Sequence, residues 1–161
     1  MTLDEYLGIG ETVELGTHTF QPDEIKAFAR KYDPQPFHLD EAAAERSVFR
    51  KLCASGWHTA SMWMKKNLEK RQDMAPGGWT GPGPAPVFGP SPGFRNLRWL
   101  KPVYAGETIR FTRTGVGHRP LATRPGWRLL TIMCEAFDSS GDKVLEFESS
   151  VLLKPGDAAT V

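Results

Sequence analysis

Residues 54–71 read ASGWHTASMWMKKNLEKR, and this stretch decides the fold. Ala54, Trp57, Ser61, Met64 and Leu68 step by three or four, which predicts a helix with one packing stripe. Its first half is unusually rich in small residues: Ala54, Ser55, Gly56, Thr59, Ala60 and Ser61. Small side chains let other backbone approach closely, as expected of a helix wrapped by something else. Lys65, Lys66, Lys70 and Arg71 crowd its end, where the negative pole of the helix favours them.

The C-terminal part of the chain is strand-like. Asn96 to Leu100 is short, and Thr108 to Gly117, Arg128 to Asp138 and Lys143 to Leu153 are longer. In the last of these, Leu145, Phe147, Ser149, Val151 and Leu153 fall on one face. Ser139-Ser140-Gly141-Asp142 reads as the turn of a hairpin. Upstream, Glu11 to Phe20 alternates weakly and predicts a further strand. Pro22-Asp23-Glu24 opens a short helix that runs to Tyr32, with Ile25, Phe28 and Ala29 at helical spacing. Asp33-Pro34-Gln35-Pro36 ends it, and Asp40 caps a second short helix that reaches Arg46. One long helix and an antiparallel sheet of about five strands make an α+β chain, most simply a curved sheet wrapped around the helix.

Between helix and strands, residues 75–93 read APGGWTGPGPAPVFGPSPG. This segment holds neither a helix nor a central strand, because Pro lacks the donor and Gly costs entropy. It reads as a long loop inserted into one domain spanning 1–161. Its Trp79, Val87 and Phe88 predict either a cover over the far end of a ligand site or an anchor to the surface. The tail after Pro155 reads as frayed.

Composition narrows the function. The 161 residues are 40% hydrophobic and 24% charged, and 20 Lys and Arg stand against 19 Asp and Glu. That balance carries no overall basic excess of the kind nucleic acid requires. No apolar run approaches the ~18 residues that span a bilayer. The start, MTLDEYLGIG, with two acids and no basic residue, does not read as a signal peptide. Two cysteines make no disulfide scaffold, and no Cys/His spacing matches a metal site. A soluble, cytoplasmic protein without metal is the expectation.

Three places carry chemistry. Asp33 and His38 stand five apart across a proline-stiffened turn. They form either a carboxylate–imidazole pair that moves protons, or an ordinary turn beside a packed His. Gly56, in the first turn of the long helix, offers a backbone N–H as an oxyanion donor, or is small because a strand crosses there. Ser55 beside it is an N-cap, a substrate contact or, last, a nucleophile, because Gly-x-Ser-x-Gly is absent. His58 reads as packed or exposed, Cys53 as a buried inert thiol and Cys134 as strand core. Arg95, Arg98 and Lys101 are phosphate contacts or solvated strand ends.

The blocks FARKYDPQPFHLDEAAAERS, CASGWHTASMWM and SPGFRNLRWLKPVYAGETI, taken in order, closely resemble the MaoC-like dehydratase family, whose members include (R)-specific enoyl-CoA hydratases. The resemblance runs from about Gly10 to Leu153. It implies the hotdog fold, a homodimer and a hydro-lyase of fatty acid metabolism. Such an enzyme hydrates an enoyl-CoA, or dehydrates a 3-hydroxyacyl-CoA, without a metal or redox cofactor. Asp33, Pro36 and His38 match the family pattern Asp-x-Asn-Pro-x-His, with Gln35 in place of the Asn. The resemblance therefore implies Asp33 and His38 as the catalytic pair and Gly56 as the donor to the thioester oxygen. Ser55 and Trp57 are its implied substrate contacts. An acyl-CoA thioesterase and a non-catalytic acyl-CoA-binding subunit are the alternatives the same fold allows.

Overall fold

The computed structural model describes residues 1–73 and 78–156. The chain opens with a one-turn helix α1 (Leu3–Leu7), capped by Thr2 through a reciprocal bond with Glu5. Strand β1 (Thr12–Thr19) comes next, then helix α2 (Pro22–Tyr32) with Pro22 at its first position. Helices α3 (Pro36–Leu39) and α4 (Glu41–Glu45) are single turns, and the Asp40 carboxylate accepts from the Ala43 N–H to cap the second. Helix α5 (Gly56–Asp73) has 18 residues. Then come β2 (Val87–Phe88), β3 (Gly93–Trp99), β4 (Thr108–Pro120), β5 (Arg128–Phe137) and β6 (Lys143–Lys154).

Every strand pairing is antiparallel, in the order β1-β4-β5-β6-β2, with β3 also on β6. The sheet folds over α5, the hotdog arrangement expected from the sequence. Period-two alternation aims Leu130, Ile132, Cys134 and Ala136 of β5, and Leu145, Phe147, Ser149 and Leu153 of β6, at the covered face. The β5–β6 turn is held by Asp138, whose buried carboxylate accepts from the N–H groups of Ser140 and Asp142.

Trp63 fixes α5 in the sheet. It is 1% exposed, donates its indole N–H to the Thr112 carbonyl at 2.8 Å, and packs edge-on against Phe147. This corrects the packing stripe. The buried side of α5 is Thr59, Trp63 and Asn67, whereas Trp57, Ser61, Met64 and Leu68 face outward. A strongly concave sheet leaves room for one large ring flanked by small polar side chains, and the apolar stripe lies on the side this chain leaves uncovered.

The described part of the Gly/Pro-rich segment is anchored. Trp79 packs edge-on against Tyr6 at 5.3 Å and donates to the Gly83 carbonyl, while Val87 and Phe88 pair with Lys154 and Leu153. Residues 75–77 of that loop, and the tail from 157, lie outside the described residues. Gly115 lets α1 dock, since a Cβ there would lie 2.8 Å from the Leu7 carbonyl oxygen.

Candidate active site

Asp33 ends α2, and Gln35 and Pro36 start α3 two residues later, so the prolines place His38 on a single helical turn facing the α2 end. The stretch 52–54 runs beside 103–105, with the Ala54 N–H on the Val103 carbonyl and the Ala105 N–H on the Leu52 carbonyl. This pinned strand delivers the Cys53 carbonyl under His38 and the start of α5 beside Asp33.

The geometry fixes roles. His38 Nδ1 lies 2.6 Å from the Cys53 carbonyl oxygen, which only accepts, so Nδ1 carries the proton. In the neutral ring Nε2 is then an acceptor, and it lies 3.3 Å from Asp33 Oδ2. Asp33 Oδ1 accepts from Gln35 Nε2 at 2.6 Å, and Oδ2 accepts from Ser55 Oγ at 2.7 Å. Burial pushes the Asp33 carboxyl up, but the bonds from Gln35 and Ser55 oppose it, joined by the charge of His38 when that ring is protonated, so it sits below the usual carboxylate range. The site thus presents an ionised carboxylate and an imidazole lone pair to one point. A water that donates one O–H to each acceptor fits that arrangement.

The pair opens on a cleft of about 480 Å³ lined by Phe37, Gly56, Trp57, Trp99 and Val103, among others. Gly56 starts α5, where first-turn N–H groups have no intrahelical partner. Trp99 lies directly on Gly56 and meets Trp57 edge-on at 4.9 Å. Asp33, His38, Gly56 and Trp57 therefore share one cleft. Ser55 is fully buried behind it, with its hydroxyl on Asp33, and does not line it.

The other candidates fall elsewhere. Cys53 is buried and its thiol is pushed up to about 11, by burial first and by the Asp33 charge second. His58 is stacked on Phe28 at 4.6 Å and edge-on to Phe20, away from the cleft. Lys101 lines the cleft, but its ammonium is held by Asp138 at 2.7 Å and Asp142 at 2.9 Å. Arg95 and Arg98 lie on β3 against Glu148 and Glu146. The loop places Ala85, Pro86 and Phe88 at the opposite end of α5 from Gly56, so its described part does not cover the cleft. Sequence reasoning missed Trp99 and the Cys53 carbonyl. The first comes from a strand 43 residues beyond Gly56, and the second is a backbone atom.

Among the described residues, no helix is long and apolar enough to cross a membrane. No group of three or more His, Cys, Asp or Glu side chains there converges to hold a metal ion. Residues 7–125 match the family model described as MaoC like domain. The chain is 28% identical over 157 residues to the uncharacterized protein YdeM of Bacillus subtilis (strain 168), covering 96% of this chain and 99% of that one. It superposes on the crystal structure of a MaoC-like dehydratase from Rhodospirillum rubrum with a TM-score of 0.76 and 29% identity, covering 96% and 97% of the two chains. An (R)-hydratase from A. caviae involved in PHA biosynthesis shares the fold, with a TM-score of 0.60 at 21% identity over 91% and 96%. With the family model spanning most of its length, and with its carboxylate–imidazole cleft at the helix start, the chain belongs to the MaoC-like domain family.

Proposed function

We propose that this protein is a hydro-lyase that adds water reversibly across the C2=C3 bond of an enoyl-CoA. The observation that carries the reading is the approach of Asp33 Oδ2 to His38 Nε2 at 3.3 Å, with Nδ1 tied to a backbone carbonyl beside the start of α5. The thioester oxygen accepts from the Gly56 N–H, and Trp57 lies along the bound acyl thioester. A water held by Asp33 and His38 attacks C3. Its oxygen forms the new C–O bond, the π pair moves toward the thioester oxygen as enolate charge, and the water's proton passes to the pair. That proton then goes to C2, so the pair ends as it began. Dehydration retraces these steps. Positioned acid–base groups supply roughly 10²–10⁴-fold, and an oxyanion donor roughly 10²–10³. The chemistry as drawn uses no metal or redox cofactor. Ser55 acts here as a positioning residue, through Asp33.

CoA phosphates suit Arg50 and Lys51, which flank the cleft residues Phe49 and Cys53, are exposed, and form no ion pair among the described residues. A second copy of the chain suits the outward stripe of Trp57, Met64 and Leu68 and the outer edge of β3, so the working form is a homodimer. Incubation with crotonyl-CoA tests the reading, following the enoyl absorbance and free thiol separately. Loss of absorbance without thiol is expected. Thiol release instead would make it a thioesterase, and silence in both channels would make it a binding subunit.

A further inference from the structure

The concave face of the sheet encloses a second cavity, of about 250 Å³, beyond the C-terminal half of α5. It shares no lining residue with the reaction cleft. On α5, Thr59 lines the cleft and Asn67 lines the cavity, and buried Trp63 lies between them. By helix rise, Arg71 lies ~22 Å along the axis from Gly56. The walls are Leu7, Phe88, Leu130, Ile132 and Val151, and among the described residues no acid lines it. Two guanidinium groups do. Arg71 stacks on the Phe88 ring at 4.0 Å and has no carboxylate partner among the described residues. Arg113 donates to Asn67 Oδ1 at 2.7 Å.

Two like charges facing one apolar space repel each other. Burial lowers the proton affinity of both, and Arg71 adds to the effect on Arg113. Guanidinium stays protonated regardless, so this is a lasting positive charge in a hydrophobic room. The complement is an amphipathic anion: a carboxylate matches the planar fork, and an apolar tail matches the walls. The volume holds about eight water-sized groups.

We propose that this cavity binds a small straight-chain monocarboxylate, with its head on Arg71 beside Arg113 and its tail on Leu130, Ile132 and Val151. The proposal does not depend on the reaction assigned to the cleft. Calorimetric titration of the full chain tests it, with hexanoate as the probe, acetate carrying the charge alone and 1-hexanol the tail alone. Hexanoate should saturate at one per chain and bind at least about tenfold more tightly than either control. Arg71→Met, which keeps the packing on Phe88, should weaken hexanoate about ten- to hundredfold and leave 1-hexanol unchanged. Asp33→Asn should leave hexanoate binding unaltered. No saturation at millimolar hexanoate, wild-type affinity in Arg71→Met, or loss of binding in Asp33→Asn would each overturn the proposal. Should Arg71→Met not fold, the wild-type comparison decides, and equal affinity for hexanoate and 1-hexanol refutes it.

Discussion

Gly56→Ala sets two effects of opposite sign against each other. An alanine is favoured over glycine in a helix by about 0.5–1 kcal/mol. Here the new Cβ would lie 2.4 Å from Cε2, 2.5 Å from Nε1 and 2.7 Å from Cδ2 of Trp99. Carbon atoms rest at about 3.5–4.0 Å, so the indole must retreat by roughly 1 Å or more. Trp99 is 44% exposed and can move, but doing so breaks its edge-on contact with Trp57. Overpacking of this kind costs about 1–3 kcal/mol. The expected net is a destabilisation of about 0–2.5 kcal/mol, which for a chain of this length lowers Tm by up to ~10 °C. Turnover should fall about 10²-fold, because the thioester oxygen and the indole compete for the same clearance. Thermal melts and crotonyl-CoA kinetics measure both in wild type, Gly56→Ala, Trp99→Ala and the double variant. In the Trp99→Ala background the alanine should stabilise the chain by its helix preference alone. Equal destabilisation by Gly56→Ala with and without the indole would refute this account of the glycine. A raised Tm with full turnover would remove Gly56 from the site altogether.

Asp33→Asn and His38→Ala should each cut turnover by about 10²-fold or more while circular dichroism stays native, and a variant retaining a tenth of the rate refutes the pair. Ser55→Ala removes a donor that favours ionised Asp33, so the carboxyl rises and the acid limb of the pH–rate profile moves to higher pH; an unmoved limb would show that Ser55 does not tune Asp33. His58 is pushed down to about 4, by burial first, with Glu24 opposing and His18 adding. The unfolded chain takes up that proton below about pH 6.5 and the folded chain only below about 4, so stability is full above 6.5 and falls by about 3 kcal/mol as pH drops through that window. Urea melts at several pH values should show this slope, and His58→Phe should flatten it.

The sequence disclosed the elements that obey local rules. The Pro22 start of α2, the Asp40 cap and the Asp138–Asp142 turn depend on neighbours a few residues away, and all lie where their chemistry puts them. The Asp33/His38 spacing alone left open an ordinary turn beside a packed His, and the family resemblance named the pair; the 3.3 Å approach itself depends on the Cys53 stretch that holds His38. One turn was hidden by prolines: Pro36 reads as a breaker, yet at a first helical position its missing N–H costs nothing, and α3 begins on it. The inward side of α5 was not legible, because its apolar spacing marks Trp57, Met64 and Leu68 as well as it could mark a core. Only the curvature of a sheet made of distant strands selects Thr59, Trp63 and Asn67 instead. The same distance hid Trp99 over Gly56.

The hydrogen bond from His38 to the Cys53 carbonyl has a genetic consequence. The atom that decides which imidazole nitrogen holds the proton belongs to the main chain, so no codon change at position 53 deletes it. Alanine or serine there would remove the thiol and leave the tautomer intact. A systematic side-chain scan would therefore score position 53 as tolerant, although the proposed catalytic pair depends on its placement. The same holds for the Val103 carbonyl and the Ala105 N–H, which hold residues 52–54 in line, so Ala105→Pro, which removes that N–H, is the change that would reach the pair from outside the cleft.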